Sequence, residues 1–324
     1  MSQPSRIELP FTLEDGSVNV YLFRDPEPVL VDAGYGDAPS WAALQAGLTA
    51  HGLTPADLSR VIITHPHVDH YGLATRIAEA GLAQVCMANV GVEWLHHFPT
   101  LWRQRIAYYR DDFLPGLGLT PAHAAAMLGW MEQTLADWKP IPDDRICAFP
   151  TDEPLILGGK PWQPLHLPGH NTWQVAFHQP DSRQLISSDA LMIPTATPVV
   201  DAPPRGQPRP PALPQMMASL AQLAALDVET VFPGHGAPFG EHRAIIHGQL
   251  ARIRSRADEC LHHVQAGAAT VAELFTRLYG DRAARVGAAG LWMAVGYLDL
   301  LVAEGRLAVE RDAASRAWRY RPTF

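Results

Sequence analysis

The feature that most constrains this chain is the segment THPHVDH at residues 64–70, where four side chains able to bind a metal ion fall on one short loop. The apolar run at 61–64 predicts a buried strand before the loop, and helical periodicity from about His70 to Ala80 predicts a helix after it. Clustering these side chains without a compensating cation would cost free energy through desolvation and repulsion. The segment therefore predicts a divalent-metal site. Its candidate ligands are His65, His67, Asp69 and His70.

Three further candidate ligands follow in order, each at the end of a strand-like run. They are His170 in PGH, Asp189 in SDA and His235 in PGHG. The glycines before His170 and His235 permit tight turns and a close backbone approach, which a ring needs if it is to point at a metal ion. Four such elements in one chain indicate a single site at one rim of the fold.

This ordered set resembles the metallo-β-lactamase superfamily over roughly residues 7–240. The resemblance implies that His65, His67 and His170 bind one metal ion, that Asp69, His70 and His235 bind a second, and that Asp189 bridges them. Asp32 matches the family's strand-end aspartate, which would support the ligands by hydrogen bonds without touching metal. The cofactor is expected to be two divalent ions. Zinc is the default, with manganese and iron open because imidazole and carboxylate accept all three.

Two such ions about 3.5–4 Å apart lower the pKa of a bridging water towards ~7 and so supply a hydroxide nucleophile. Asp69, beside that hydroxide, is predicted to orient it and to accept its proton. We therefore expect a hydrolase that attacks an ester, thioester or lactone carbonyl. The alternatives are a metal-dependent phosphodiesterase or ribonuclease, a mononuclear iron enzyme resembling persulfide dioxygenases, and a metal-holding regulatory or binding protein without turnover.

The predicted fold class is α/β, an αββα metallo-β-lactamase sandwich with a helical insertion and a small C-terminal domain. Aromatic-rich residues 92–138 predict two or three helices that form the insertion, and the proline-dense stretch 194–214 predicts an exposed loop. A composition change near Gly240 predicts a catalytic domain at 1–240. Residues 241–324 predict three helices and a hairpin, which resemble the winged-helix appendage of β-lactamase-like hydrolases related to a mitochondrial endoribonuclease.

Charge and hydropathy limit the partners. The net charge of −8 gives no field that attracts phosphate backbones, and residues 290–305, the third C-terminal helix, contain no Lys or Arg. We therefore expect a small-molecule substrate and no nucleic acid, with the C-terminal domain packing on the catalytic domain or supporting a homodimer. The start of the chain lacks a signal-peptide pattern, and no run of about 20 apolar residues was identified. A cytoplasmic protein without membrane contact is expected.

Two departures from known branches bear on the substrate. Quorum-quenching lactonases carry a tyrosine three residues after the bridging aspartate, where this chain has Met192. The C-terminal helices also lack an obvious basic cluster like the one with which glyoxalase II grips glutathione. Lactonase activity and glutathione specificity are thus not expected, while thioester hydrolysis stays open.

The remaining histidines and the cysteines receive plainer interpretations. His166 alternates with leucines before His170, so it either supports the site by hydrogen bonds or lies at a core edge. His96 and His97 begin the insertion, where they could contact the substrate. The aromatic side chains of Trp102, Tyr109 and Trp130 lie either in the hydrophobic core or in the pocket wall. No disulfide is expected among the three cysteines, which are read as small buried hydrophobes: Cys86, Cys147 and Cys260. Surface positions are expected for His51, His123, His178, His242, His247, His262 and His263.

Overall fold

The computed structural model describes residues 3–12, 16–204 and 207–323, which fold around two packed β-sheets. The first sheet has six strands in the order β1-β2-β3-β4-β5-β6, and the second has five in the order β11-β10-β9-β8-β7. The strands of the first sheet are Ser5–Phe11 (β1), Gly16–Phe23 (β2), Val29–Val31 (β3), Arg60–Ile63 (β4), Gln84–Ala88 (β5) and Ile146–Phe149 (β6). Those of the second are Leu155–Leu157 (β7), Lys160–His166 (β8), Val175–Gln179 (β9), Gln184–Ser188 (β10) and Thr230–Pro233 (β11).

The alternating pattern of β2 shows how the two layers form. Successive side chains of a strand point to opposite faces. Tyr21 and Phe23 enter the apolar cluster between the sheets, where they meet Trp162 and Phe232 of the second sheet, while Leu22 enters the cluster on the outer face. Helices cover the outer faces, so the αββα sandwich is confirmed.

The helices fall into three groups along the chain. Those before and beside the first metal-ligand segment are Ala38–Ala50 (α1), Val68–Tyr71 (α2) and Ala74–Ala80 (α3). The predicted insertion contains Glu93–Tyr108 (α4), one π-helical turn, Leu114–Leu117 (α5) and Pro121–Asp137 (α6). The later helices are Ala212–Ala224 (α7), His242–Gln265 (α8), Val271–Tyr279 (α9) and Ala283–Ala303 (α10), followed by the hairpin Leu307–Arg311 (β12) and Trp318–Pro322 (β13).

The C-terminal helices pack against the rest of the chain. Trp292 of α10 donates its indole N–H to Tyr109 Oη in the insertion at 3.2 Å, and Arg209 forms a two-bond ion pair with Asp299 at 2.6 and 2.7 Å. The segment from Val271 to Ala303 is, contrary to the sequence analysis, long and apolar enough to cross a membrane by length and composition alone. In the fold it divides between α9 and α10, and both helices contribute buried residues to the hydrophobic core, among them Leu274, Val295 and Leu298.

The proline-dense stretch 194–214 is only partly the exposed loop that was predicted. Residues 196–201 have no regular structure, but most are buried, including Val200 and Asp201. The Val200 carbonyl accepts a hydrogen bond from Tyr109 Oη at 2.6 Å. The described residues up to Pro211 are neither helix nor strand, as predicted, but α7 begins at Ala212, so residues 212–214 are helical against the prediction. The prolines also gave no sign that the chain passes beneath the insertion. Residues 205 and 206 of this stretch lie outside the described residues.

Two minor predictions are also wrong. Cys86 of β5 and Cys147 of β6 form a disulfide between neighbouring strands, whereas Cys260 is a buried free thiol as expected. The pairing was missed because the cysteines are separated by the whole insertion and meet only through sheet register. His242, predicted to lie at the surface, is buried at the start of α8.

Candidate metal centre

The seven predicted ligands meet at one edge of the sandwich because each follows the end of a strand. Residues 65–70 follow β4 of the first sheet, while His170, Asp189 and His235 follow β8, β10 and β11 of the second. Asp69 and His70 lie in the short helix α2, which turns them back over the strand ends. Ligands from both sheets therefore surround a single volume between them.

The rings of His65, His67 and His170 point a nitrogen at a common centre. His67 Nδ1 lies 3.0 Å from His65 Nε2 and 2.9 Å from His170 Nε2. Zinc–nitrogen bonds of about 2.1 Å in tetrahedral geometry place neighbouring ligand atoms about 3.4 Å apart, so a triad this tight needs little movement to hold one ion. Among the described residues the triad forms one of three groups with metal-binding geometry.

Asp69, His70 and His235 form a second such group beside the first. Asp69 Oδ2 lies 3.3 Å from His235 Nε2 and 3.5 Å from His70 Nε2. The Asp189 carboxylate lies between the groups: its Oδ2 is 3.3 Å from His170 Nε2 and 3.5 Å from His235 Nε2, and its Oδ1 is 3.5 Å from His70 Nε2. Asp189 thus reaches ligands of both groups, as a bridging carboxylate must.

Two atoms at this centre are buried and lack a hydrogen-bond partner among the described residues: His70 Nε2 and Asp189 Oδ1. An unsatisfied buried polar atom costs about 1–3 kcal/mol, and more when the group is charged. Both atoms face the second group, and a divalent cation there would satisfy both. The donor set and these two orphaned atoms fit a metal ion.

Electrostatics divide the five histidines into two classes. Burial, together with the positive charge of neighbouring histidines, holds the pKa of His65 and His67 well below the usual value, and burial also lowers the pKa of His170. Burial also disfavours the protonated form of His70 and His235, but the Asp189 carboxylate outweighs burial at both rings. It holds the pKa of His70 well above the usual value and raises the pKa of His235 to about 10. The first triad is therefore neutral and ready to bind metal at pH 7, whereas the second group must release protons.

Asp32 lies behind the candidate ligands and hydrogen-bonds to residues that carry them. It ends β3 in a left-handed conformation (φ 62°) and accepts hydrogen bonds from Thr64 N at 2.9 Å and Thr64 Oγ1 at 3.0 Å. Its Oδ2 lies 2.9 Å from His70 Nδ1, so the opposite nitrogen of that ring is free for metal. Ser188 Oγ donates to the same oxygen at 3.3 Å.

The outer nitrogens of the other histidines also have partners. His170 Nδ1 lies 2.8 Å from the Thr197 carbonyl, and His235 Nδ1 lies 2.7 Å from the Ser17 carbonyl. A carbonyl accepts only from N–H, so both rings present an unprotonated Nε2 to the centre when neutral. The Asn171 amide lies 3.3 Å from His67 Nε2.

The two glycines singled out in the sequence are required by close approach. A Cβ at Gly234 would lie 2.0 Å from Asp189 Oδ1 and 2.9 Å from His70 Cε1, inside the metal centre. Gly169 has φ +144°, and a Cβ there would lie 2.3 Å from Met216 Cα in α7. Only glycine allows these loops to carry His235 and His170 to the site.

Some candidate residues are not brought to the centre. His166 is exposed, with its Nε2 2.8 Å from the Thr172 carbonyl. His96 and His97 instead lie near Asp143 and Glu93, at 3.6 and 3.5 Å.

Several supporting residues were missed by the sequence analysis. Asn19 of β2 donates to the carbonyls of Pro233 and Gly236, at 2.9 and 2.7 Å, and so fixes the loop that carries His235. Asp201 accepts from Thr172 N and Oγ1 at 2.9 and 2.7 Å, and its Oδ1 lies 3.4 Å from Arg105 Nη1. One signal was available: Asn19 is a polar residue between Val18 and Val20 of an apolar strand.

The metal centre opens into a cavity of about 1490 Å³. Its walls include Trp102, Tyr109 and Trp130 of the insertion, so the aromatic stripe does face the pocket. Residues 192–197 and helices α9 and α10 complete the walls. Most of the lining side chains beyond the metal ligands are apolar.

Comparisons with known proteins agree with this geometry. The model of the metallo-beta-lactamase superfamily matches residues 13–235, and the chain belongs to that superfamily. The chain is 26% identical over 303 residues to a probable metallo-hydrolase, YqjP, of Bacillus subtilis, covering 92% of this chain and 91% of the relative. It is also 25% identical to a lactamase-like protein, notP, of an Aspergillus species, covering 84% of this chain and 68% of that protein. The protein is a metallo-hydrolase of this superfamily.

Solved structures show the same fold over nearly the whole chain. A metallo-beta-lactamase family protein of Thermus thermophilus superposes with a TM-score of 0.79 at 23% identity, covering 98% of both chains. A beta-lactamase domain protein of Burkholderia ambifaria gives a TM-score of 0.77 at 22% identity, covering 99% of this chain and 92% of the other. The similarity therefore includes the insertion and the C-terminal helices.

Proposed function

We propose that this protein hydrolyses an ester, thioester or lactone carbonyl at a dinuclear metal centre. The observation that carries the proposal is the position of Asp189, whose carboxylate lies within 3.5 Å of ring nitrogens from both ligand groups. His65, His67 and His170 would hold one ion, and Asp69, His70 and His235 the other. Two divalent ions, when bound, would supply a hydroxide nucleophile at neutral pH and polarise the substrate oxygen.

The protein's own residues would hold and protect the reacting groups. Asp69 is buried beside His235, and the surrounding histidines outweigh its burial and lower its pKa to about 2. Its carboxylate is therefore ionised at neutral pH and available to accept a proton from the attacking water. The hydrogen bonds of His70 to Asp32, of His170 to Thr197 and of His235 to Ser17 would keep the rings from reorienting during the reaction.

The charge of the cavity favours a carbonyl substrate over a phosphodiester. Among the described residues that line it, Arg105 and Arg285 carry the only guanidinium groups and no lysine is present. Arg105 is already paired with Asp201, so a polyanion would find little to bind. We propose zinc as the native metal. We also propose that the protein is cytoplasmic and acts on a small molecule.

The test is a substrate panel run on metal-loaded protein, with matched ester, thioester, lactone and phosphodiester compounds. We expect turnover of one or more carbonyl substrates, and we expect Asp69→Asn to reduce that turnover at least 100-fold. The exposed Asp25→Asn variant is the control and should behave as wild type. Turnover of phosphodiesters alone would contradict the proposal and favour the nuclease alternative.

A further inference from the structure

We propose that the cavity beside the metal centre binds the apolar chain of an acyl substrate, so that the enzyme prefers medium or long acyl groups over short ones. This inference rests on the proposed hydrolysis of a carbonyl and adds a binding site for the non-reacting part of the substrate. At about 1490 Å³ the cavity exceeds the ~300–1,000 Å³ of ordinary ligand sites, so a small ester would leave much of it unfilled.

One wall of the cavity is a single face of α6. The lining residues His123, Ala126, Met127, Trp130 and Met131 recur at intervals of three and four, which places them on one side of the helix. Trp130 is 42% exposed despite its size, whereas Met131 is buried at the base. An apolar ligand would cover the exposed part of the indole, and water covers it otherwise.

The facing wall comes from the C-terminal helices. Phe275 of α9 lines the cavity, and so does the whole first part of α10, residues 283–289, where Gly287 interrupts the helical geometry. Leu291 and Trp292 follow on the regular part of the helix. This arrangement suits a flexible alkyl chain, because most side chains on both walls are apolar; His123 on α6 and Arg285 on α10 are the titratable exceptions among the described residues of these walls.

Continuity with the metal centre identifies the occupant as part of the substrate. The same cavity is lined by His67, Asp69, His170 and Asp189, so a chain held between α6 and α10 would have its reacting end beside the ligands. Among the described lining residues, the only carboxylates are Asp69 and Asp189, both in the metal centre. The outer cavity therefore has no acidic group that would favour a cationic substrate.

The first experiment measures kcat/KM for 4-nitrophenyl esters from acetate to dodecanoate. Full burial of one methylene supplies a factor of about four, so kcat/KM should rise by up to that factor per added carbon before levelling off. Equal kcat/KM at every chain length would overturn the acyl-chain site while leaving the hydrolase intact. Absence of turnover at every length would instead contradict the proposed function.

A matched pair of variants tests the location. Ala126→Trp would fill the cavity from α6 and should lower kcat/KM for dodecanoate at least tenfold while changing acetate less than twofold. Ala125→Trp, at the preceding position of the same helix and outside the lining, should change neither. Equal losses on both esters, or equal effects of both variants, would overturn the assignment.

Binding without turnover gives an independent measure. Quenching of tryptophan fluorescence by 12-bromododecanoate should saturate in metal-free wild-type protein, because Trp102, Trp130 and Trp292 line the cavity. Ala126→Trp should weaken that binding at least tenfold, and 4-bromobutyrate should not quench at the same concentrations. Failure of 12-bromododecanoate to quench the wild-type protein would overturn the site even if esters are hydrolysed.

Discussion

The carboxylate of Asp32 and the imidazole of His70 form a buried pair, with Oδ2 and Nδ1 2.9 Å apart. Asp32 ends a strand of the first sheet, and His70 lies in the helix that follows the neighbouring strand. The pair fixes the ring so that Nε2 points at Asp69 and Asp189. It thus connects the framework of the sandwich to the second ligand group.

Replacing Asp32 should weaken metal binding without removing a ligand. Thr64 and His70 now donate hydrogen bonds to the Asp32 carboxylate. In Asp32→Asn the amide N–H would point at one of these donors, and His70 would lose its orientation. We expect affinity for the metal to fall about 10–100-fold, measured by competition with a chromophoric chelator. The exposed Asp25→Asn is the control, and an unchanged affinity in Asp32→Asn would show that the pair does not support the site.

Breaking the buried ion pair of Arg105 and Asp201 should destabilise the fold strongly. Both are buried, and removing one partner of such a pair leaves an uncompensated charge that costs about 3–5 kcal/mol. Asp201→Asn should lower the free energy of unfolding by that order in urea titrations. The double variant Arg105→Met/Asp201→Asn should lose less than the sum of the single variants. Additive losses would mean that the two side chains act independently.

The disulfide makes a prediction about thiol counts. Cys86 and Cys147 enclose the entire insertion, and their 61-residue separation corresponds to about 4 kcal/mol of stabilisation on the chain-entropy model. Thiol titration of the denatured, unreduced protein should find one reactive thiol, and reduction should raise the count to three. Burial raises the pKa of the Cys260 thiol to about 12, so the native protein should react slowly or not at all. Three thiols before reduction would contradict the pairing.

Stability of the metal-free protein should fall as the pH rises. The pKa of His235 is raised from about 6.5 in an unfolded chain to about 10 in the fold, chiefly by Asp189 acting against burial. The protonated ring therefore stabilises the fold fully below about pH 6.5, and this contribution is lost as the pH approaches 10. His70 acts in the same direction.

Thermal melts of chelator-treated protein between pH 6.5 and 9.5 measure this loss. The slope should be smaller in His235→Gln, which cannot be protonated in this range. A metal-free melting temperature that does not change across this range, or that rises, would contradict the assigned charge state.

Local patterns predicted the ligands, and longer-range contacts escaped them. His65, His67, Asp69 and His70 share one loop, and each later candidate ligand follows a recognisable strand end, so spacing and glycines were enough to identify the seven residues that the fold brings together. Their division into two groups came from the family resemblance. Asn19 and Asp201 act on loops more than 25 residues distant, and the sequence around them does not identify those loops. The Cys86–Cys147 pair depends likewise on sheet register, and the burial of residues 196–201 on how the insertion folds over them.

The central claim is a dinuclear centre bridged by Asp189, and metal content per chain tests it most directly. Elemental analysis of protein purified without added metal, beside Asp189→Ala, gives the count and the identity of the metal together. We expect two divalent ions per wild-type chain, and no more than one in Asp189→Ala with an unchanged far-UV circular dichroism spectrum. One iron per wild-type chain, with Asp189→Ala unchanged in metal content, would contradict the account.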